Sequence, residues 1–327
     1  YIFIKRLIFE RFIYIECLMG FMRRKLVQHG GSTLVVSIPS KWAKKHELEK
    51  GQEISIEEKE NSLIVTTAGK GIKKKKEISI GSYTYYSLRS IISGLYRTGY
   101  DEIKIHFDDK IPISMIHKIM DLLPGYEANF IGENTCVVTS IIKASDEMVD
   151  SMINKLFLNL KMMFDMALDM PKKVTLDDAY SMKNNCLRIR DYCHRMIRNI
   201  NYGNENSYDY YTIVFTLEKI SGLVLHSLLT YLINKKEELK KEELDLIMEN
   251  KKMLEELYRL YLNKKWKEAE AFYNKLRNHL LIVRKKGVQI KDGLDVTIKM
   301  HMEGNFHYLF ALSSRILNIA VSVDSED

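Results

Sequence analysis

Cationic side chains are concentrated near the start of the chain, and they offer its clearest capacity for chemistry. The 327 residues carry a net charge of +7, and residues 22–80 alone carry +6, with 13 Lys or Arg against 7 Asp or Glu. Clustered positive charge attracts polyanions such as nucleic acids. A lysine-rich surface that only faces solvent has the same composition, so charge alone leaves both interpretations open.

The positions of these cations predict a surface that faces DNA. Three precede a short strand, three lie on a short helix after Pro39, and polar residues occupy the turn between two strands. Lys and Arg position a protein on phosphates, while polar side chains at a turn can reach base edges. The predicted DNA-binding residues are Arg23, Arg24, Lys25, Gln28, Ser32, Thr33, Lys41, Lys44 and Lys45.

Short strands around one short helix must position these side chains. Pro39 suits the first turn of a helix, which we expect to end near Lys50. Residues His29 to Ser32 and Lys59 to Asn61 are typical of turns, and they separate strands predicted at Arg24–Gln28, Thr33–Ile38, Glu53–Glu57 and Ser62–Thr66. About 45 residues of short strands bury too little surface to be stable alone, so we expect an obligate dimer.

This segment resembles the AbrB/MazE-type (SpoVT-AbrB) DNA-binding domain. The resemblance rests on G-G-S-T, then I-P-S-K-W, then E-K-G-Q-E-I-S-I, and it covers Met22 to about Thr67 (domain 22–68). It implies a swapped-hairpin β-barrel, formed by an intertwined homodimer, whose basic face binds double-stranded DNA with low sequence selectivity. The alternative is that the same fold serves only as a dimerisation or antitoxin module.

The rest of the chain predicts a small α/β connector followed by long helices. Gly69 to Lys76 is typical of a linker, and residues 69–143 as a whole are predicted to form the linker and connector. Helices are expected at Tyr83–Thr98 and Pro112–Leu123, and strands at Glu102–Phe107, Tyr126–Ile131 and Thr135–Ile142. Six helices then follow in two sets of three, which predicts two three-helix bundles over residues 144–235 and 236–327. The predicted fold class is α+β, mainly α.

This order of elements, with R-T-G-Y-D-E-I-K-I in the connector, resembles archaeal phosphate-uptake regulators of the PhoU type from Met22 onward. The resemblance implies control of phosphate transport and, in the wider family, metal clusters held by acidic Glu/Asp-x-x-x-Asp motifs. Here those motifs are degenerate. Gly222 stands four residues after Glu218, where the second acid of the motif would fall. Asn, Arg and Leu replace acids around Asp191, and the last helix keeps Arg315 but has lost both acids. A hard cation needs several oxygen ligands, so we predict no metal and no other cofactor.

A basic run on the second long helix allows two interpretations. It could bind phosphate or an acidic partner, but the spacing places its members only partly on one face, so a solvated face is favoured. The run comprises Arg188, Arg190, His194, Arg195 and Arg198. His194 is expected to be structural or exposed.

The first 21 residues do not fit a membrane span or a signal peptide. Lys5, Arg6, Glu10, Arg11 and Glu16 interrupt the apolar stretch, so we predict no membrane insertion. The chain begins with Tyr1, and residues 1–21 are predicted to be a non-native upstream extension before a start at Met22 or Met19.

Together these features predict a cytoplasmic, homodimeric regulator of transcription in phosphate homeostasis, whose helices sense a signal or dock a partner. Four widely spaced cysteines suit a reducing cytoplasm. The alternative is an interaction protein that does not bind DNA and docks a phosphate transporter or signalling kinase. The sequence contains no recognisable nucleophile–base pair or phosphate-cradling glycine loop, so we do not expect an enzyme.

Overall fold

The computed structural model describes residues 23–59, 62–67, 73–141, 146–170, 174–234, 239–286 and 294–324. The predicted upstream extension lies outside the described residues. The chain divides into two compact units, Tyr1–Ile72 and Lys73–Asp327.

The described part of the N-terminal unit, residues 23–59 and 62–67, forms two antiparallel hairpins and one short helix, in the predicted order. Strands β1 and β2 form the first hairpin and strands β3 and β4 form the second, with no strand shared between the two pairs. The strand and helix bounds are Val27–His29 (β1), Thr33–Val35 (β2), Ser40–Lys45 (α1), Ile54–Lys59 (β3) and Ser62–Thr67 (β4). The predicted closed barrel stays a prediction.

Helix α1 is shorter than the sequence predicts, because the chain reverses at Glu47. The φ angle of Glu47 is 51°, in the left-handed region. The Leu48 amide donates to the Ala43 carbonyl at 3.0 Å, and the Glu47 amide donates to the Lys44 carbonyl at 3.2 Å. These bonds form a Schellman-type C-terminus, which usually contains Gly or Asn. The expected end near Lys50 was wrong because Glu47 gives no such signal.

The second unit begins with a four-stranded sheet of order β5-β6-β8-β7. Strand β5 pairs parallel with β6 through the crossover helix α2, and the other pairs are antiparallel. Its strands and helices are Lys75–Ile80 (β5), Tyr85–Arg97 (α2), Glu102–Phe107 (β6), Ile113–Met120 (α3), Tyr126–Phe130 (β7) and Thr135–Ser140 (β8). Helices α2 and α3 and strands β6, β7 and β8 lie at or close to their predicted positions.

Strand β5 corrects the expectation that the lysine run up to Lys76 is a linker. Lys75 and Lys76 pair with β6 in register. Ion pairs between the two strands reinforce this register, since Lys75 contacts Glu102 at 3.0 Å and Lys104 contacts Glu77 at 3.0 Å. Opposite charges on neighbouring strands stabilise the pairing, whereas the sequence alone shows only a solvated cationic run.

Six long helices follow and complete the second unit. They are Asp146–Leu168 (α4), Leu176–Ile200 (α5), Ser207–Ile233 (α6), Lys241–Asn263 (α7), Trp266–Lys286 (α8) and Leu294–Asp324 (α9). Helix α5 begins with a capping box, in which the Thr175 hydroxyl accepts from the Asp178 amide and the Asp178 carboxylate accepts from the Thr175 amide. Helix α5 ends where Asn201 adopts a left-handed φ of 51°.

All six long helices contribute to one hydrophobic core. Leu156 of α4, Leu217 of α6 and Leu309 of α9 are fully buried in it. Helix α6 packs against α4, α5 and α9, so the two predicted sets of three meet along α6 and α9. The division into two three-helix bundles therefore stays a prediction.

Two helices among the described residues are long and apolar enough to cross a membrane, namely Asn204–Ile233 and Val296–Val323. They correspond to α6 with its preceding turn and to α9, which pack along each other. Within the most apolar window of each helix, 61% and 39% of the residues are buried. Core helices of large α-helical units have the same composition.

Candidate nucleic-acid interface

The β1–β2 hairpin holds the polar residues predicted to reach base edges. His29 pairs with Thr33 and Gln28 with Leu34, which places Ser32 in the turn. Gly30 makes this turn possible because its φ is +71°, a conformation that residues with a Cβ rarely adopt. The side-chain amide of Gln28 donates through Nε2 to the Gly31 carbonyl at 3.3 Å, which holds this side chain against the turn.

Helix α1 holds the three predicted lysines on six residues. Pro39 precedes the helix, and the Ala43 amide donates to the Pro39 carbonyl at 2.9 Å. Lys44 and Lys45 lie in the last turn, where positive charge interacts favourably with the helix dipole. Their charges therefore stabilise the helix and also remain available to an external anion.

The structure leaves the whole predicted DNA-binding set accessible. Arg23, Arg24 and Lys25 precede β1 without regular secondary structure. All nine predicted side chains are exposed, namely Arg23, Arg24, Lys25, Gln28, Ser32, Thr33, Lys41, Lys44 and Lys45. Exposed Lys and Arg on a short hairpin-and-helix scaffold can neutralise phosphates, and the exposed turn residues can donate to and accept from a base.

The same unit buries no side chain of its own among residues 23–59 and 62–67 whose exposure is described. Its large apolar side chains are exposed instead, and they are Leu26, Val27, Leu34, Val35, Val36, Ile56, Leu63 and Ile64. Exposed apolar surface of this extent on a small β unit is typical of an interaction surface. The β3–β4 register places Ile56 opposite Val65, so one face of this hairpin is apolar.

The two acids that remain in the degenerate motifs, Glu218 and Asp191, form ion pairs. Lys183 contacts Glu218 at 2.5 Å and also donates to the Ser221 hydroxyl at 2.9 Å. Arg190 contacts the other Glu218 oxygen at 3.1 Å. Burial opposes ionisation of Glu218, but the two cations outweigh it and lower its pKa to about 2. Glu218 is thus an anion that is already neutralised.

Asp191 is paired in the same way. It is almost fully buried, and its Oδ1 accepts from Arg97 at 2.8 Å and from Arg190 at 2.8 Å. No group of three or more His, Cys, Asp or Glu side chains among the described residues could hold a metal ion. Sequence reasoning missed Arg97 and Lys183 as the partners, because they lie 94 and 35 residues from the acids that they contact.

The basic run of α5 divides into two groups. Arg188 and Arg198 are exposed, as a solvated face requires. Arg195 is 2% exposed and His194 is 1% exposed, so the interpretation of the run as a solvated face was wrong for both. The reason is that other elements pack on this side of α5: the connector contacts Arg195, and Tyr211 of α6 stacks on His194. Spacing along one helix does not reveal such partners.

Comparison with known proteins gives one match, in the N-terminal part. Residues 27–78 match the family described as antidote-toxin recognition MazE, bacterial antitoxin. The match begins at β1 and extends into β5. It supports the resemblance of this segment to AbrB/MazE-type domains.

No curated protein and no solved structure matches the chain. The resemblance of the helices to phosphate-uptake regulators therefore stays a prediction.

Proposed function

We propose that this chain is a DNA-binding regulator of transcription and that its N-terminal unit contacts double-stranded DNA. The observation that carries the proposal is the coincidence of the MazE family match over residues 27–78 with exposed cationic and polar side chains, six of them inside the matched segment and three directly before it. Fold and charge then favour the same function, which is the combination expected of a nucleic-acid-binding domain. The role is non-enzymatic and cytoplasmic.

We further propose that the active form is a homodimer joined through the N-terminal unit. Its described residues bury no core, while eight large apolar side chains are exposed, among them Ile56 and Leu63. A second copy can cover this surface by intertwining its hairpins with the first. Dimerisation would also place two sets of the nine DNA-facing residues side by side and so increase affinity for a polyanion.

The regulated process that we propose is phosphate uptake. The order of a MazE-type segment, an α/β connector and six long helices supports this context, through its likeness to phosphate-uptake regulators. In this proposal the six-helix unit senses a signal or docks a partner, and the N-terminal unit transmits the result to DNA.

A second candidate is a protein-interaction role. The matched family is described by its recognition of a toxin protein, which favours partner binding as well as DNA binding. In this alternative the N-terminal unit only dimerises the chain, and the helices dock a phosphate transporter or a signalling kinase.

A mobility-shift titration of the full chain with its own upstream region separates the two candidates. The triple variant Lys41/Lys44/Lys45→Ala should bind more weakly, and the slope of log affinity against log salt should fall by about 0.9 for each phosphate that the variant no longer neutralises. The matched control is Lys252/Lys265/Lys299→Ala, which removes three exposed lysines from the second unit. Equal affinity of the two variants for DNA would refute the DNA-binding proposal and leave the interaction role.

A further inference from the structure

A cavity of about 370 Å³ lies between the connector helix α2 and the long helices α5 and α6. All three helices belong to the second unit, and α2 packs on α5. The cavity is lined by Tyr86, Arg89, Ser90, Ser93, Arg97, Arg190, His194, Tyr211 and Phe215. Its volume falls in the range of about 300–1,000 Å³ typical of small-molecule sites, and it far exceeds that needed by a single oxyanion.

The lining of this cavity is cationic. It includes three arginines and no carboxylate. Arg89 has no ion pair among the described residues, whereas Arg97 and Arg190 share Asp191.

The two neighbouring acids do not balance the cations around them. Asp191 and Glu218 together face Arg97, Arg190 and Lys183, and Arg89 adds a fourth positive charge. Lys219 lies 3.6 Å from Glu218 but is 40% exposed to solvent. At least two positive charges are therefore left uncompensated, which matches an anion of charge about −2, such as a phosphate monoester.

Two buried polar groups on the cavity wall have no hydrogen-bond partner among the described residues. They are the hydroxyl of Ser93, a residue 4% exposed, and Nδ1 of His194. Buried polar atoms are almost always hydrogen-bonded, so the Ser93 hydroxyl on α2 and His194 Nδ1 on α5 each retain capacity for one more hydrogen bond.

The protonation state of the His194 ring determines which of its nitrogens can accept a hydrogen bond. Burial, reinforced by the neighbouring Arg190, lowers its pKa to about 3, so the ring is neutral near pH 7. Nε2 lies 3.1 Å from the Tyr211 carbonyl and must carry the proton that it donates. Nδ1 is consequently a lone-pair acceptor, which suits a hydroxyl or amino group of a ligand rather than a phosphate oxygen.

Aromatic rings form another part of the wall. His194 stacks on Tyr211 with ring centroids 3.7 Å apart, and Phe215 lies one helical turn further along α6. Tyr86 is exposed on the α2 side. Such rings provide faces for a planar heterocycle, while the arginines provide charge for its anionic substituent.

We propose that this cavity binds a nucleoside phosphate, with the phosphate on Arg89, Arg97 and Arg190 and the base against the aromatic wall. The Ser93 hydroxyl donates to the ligand, and His194 Nδ1 accepts from it. The proposal does not depend on DNA binding by the N-terminal unit.

Calorimetric titration of the full chain tests this site, with AMP, GMP, adenosine and inorganic phosphate as separate probes. A nucleoside monophosphate should bind more tightly than either adenosine or inorganic phosphate. Arg89→Gln should weaken its binding by about tenfold or more, since it removes one charge-assisted hydrogen bond to the phosphate. Because Arg89 holds no ion pair among the described residues, this variant should fold like the wild type.

The matched control is Arg188→Gln, which makes the same charge change at an exposed position of α5. It should bind the nucleoside monophosphate like the wild type. Equal loss in both variants would overturn the site, because the effect would then be one of net charge. Saturation by inorganic phosphate with no gain from the base, or no binding of AMP and GMP at millimolar concentration, would overturn the ligand class.

Discussion

Arg195 of α5 donates through Nη2 to Asp101 of the connector at 2.9 Å, and this pair joins the sheet to the long helices. The guanidinium also donates to the carbonyls of Tyr96 and Tyr100, at 3.0 and 2.7 Å. The Tyr96 and Tyr126 rings lie 5.1 and 5.2 Å from it. An arginine that is 2% exposed thus satisfies one carboxylate and two backbone acceptors at once.

Replacing Arg195 should destabilise the second unit. Arg195→Met keeps the aliphatic part of the side chain but removes the buried cation and its hydrogen bonds to the Asp101 carboxylate and to the Tyr96 and Tyr100 carbonyls. We expect a loss of about 3 kcal/mol in the free energy of unfolding, measured by urea denaturation. Arg198→Met, at an exposed position of the same helix, should change it little. Similar losses in the two variants would contradict the anchoring role.

Replacing Gly94 and Gly99 by alanine should change the stability of the second unit in opposite directions. Gly99 has a φ of +83°, and a Cβ there would lie 2.1 Å from the Asn199 amide oxygen. Since that exposed side chain can move, the left-handed backbone should dominate the cost of Gly99→Ala, about 1–2 kcal/mol. Gly94 lies inside α2, where an added Cβ would meet nothing within 4 Å, so Gly94→Ala should stabilise by about 0.5–1 kcal/mol. Thermal unfolding of both variants measures this difference, and a shift of the same sign in both would contradict it.

Local signals made much of the fold predictable. Strand β6 spans the predicted Glu102–Phe107, because the alternation of apolar and polar residues that indicates a strand is contained within a few neighbouring residues. The nine side chains predicted to bind DNA are exposed, and their role stays a prediction. Strand β5 was missed because its lysines become paired only when β6 lies beside them.

The ion pairs around Asp191 and Glu218 could not be predicted, because their partners come together only in the folded unit. Arg97 and Asp191 are 94 residues apart, and helical spacing along α5 gives no information about a partner on α2. The same holds for the cavity, whose arginines and aromatic rings come from three helices. The buried positions of His194 and Arg195 likewise depend on how the connector packs.

Protonation of His194 should make stability depend on pH. Its folded-state pKa of about 3 lies below the ordinary 6.5, mainly through burial and Arg190, with Arg97 adding to the effect and Glu218 opposing it. Below pH 6.5 the unfolded chain binds the proton more strongly, so this contribution to stability falls by up to about 1.4 kcal/mol per pH unit as the pH decreases towards 3.

The His194→Phe variant isolates this effect, because phenylalanine can still stack on Tyr211 but cannot bind the proton. Urea denaturation at several pH values should give a shallower loss of stability below pH 6.5 than in the wild type. The control is His307→Phe, which removes an exposed histidine from α9. A wild-type slope in His194→Phe would show that the buried ring does not cause the dependence.

The apolar face of the β3–β4 hairpin should determine whether the chain dimerises. Ile56 lies opposite Val65 on that face, and Ser55 lies opposite Thr66 on the other, because successive residues of a strand point to opposite sides. Ile56→Lys would place a charge in the proposed dimer core, where burying it without a partner is costly, whereas Ser55→Lys adds the same charge outside it. Sedimentation should show a dimer for the wild type and Ser55→Lys, and a monomer for Ile56→Lys. A monomeric wild type would contradict the proposed dimer, and dissociation caused by Ser55→Lys alone would place the interface elsewhere.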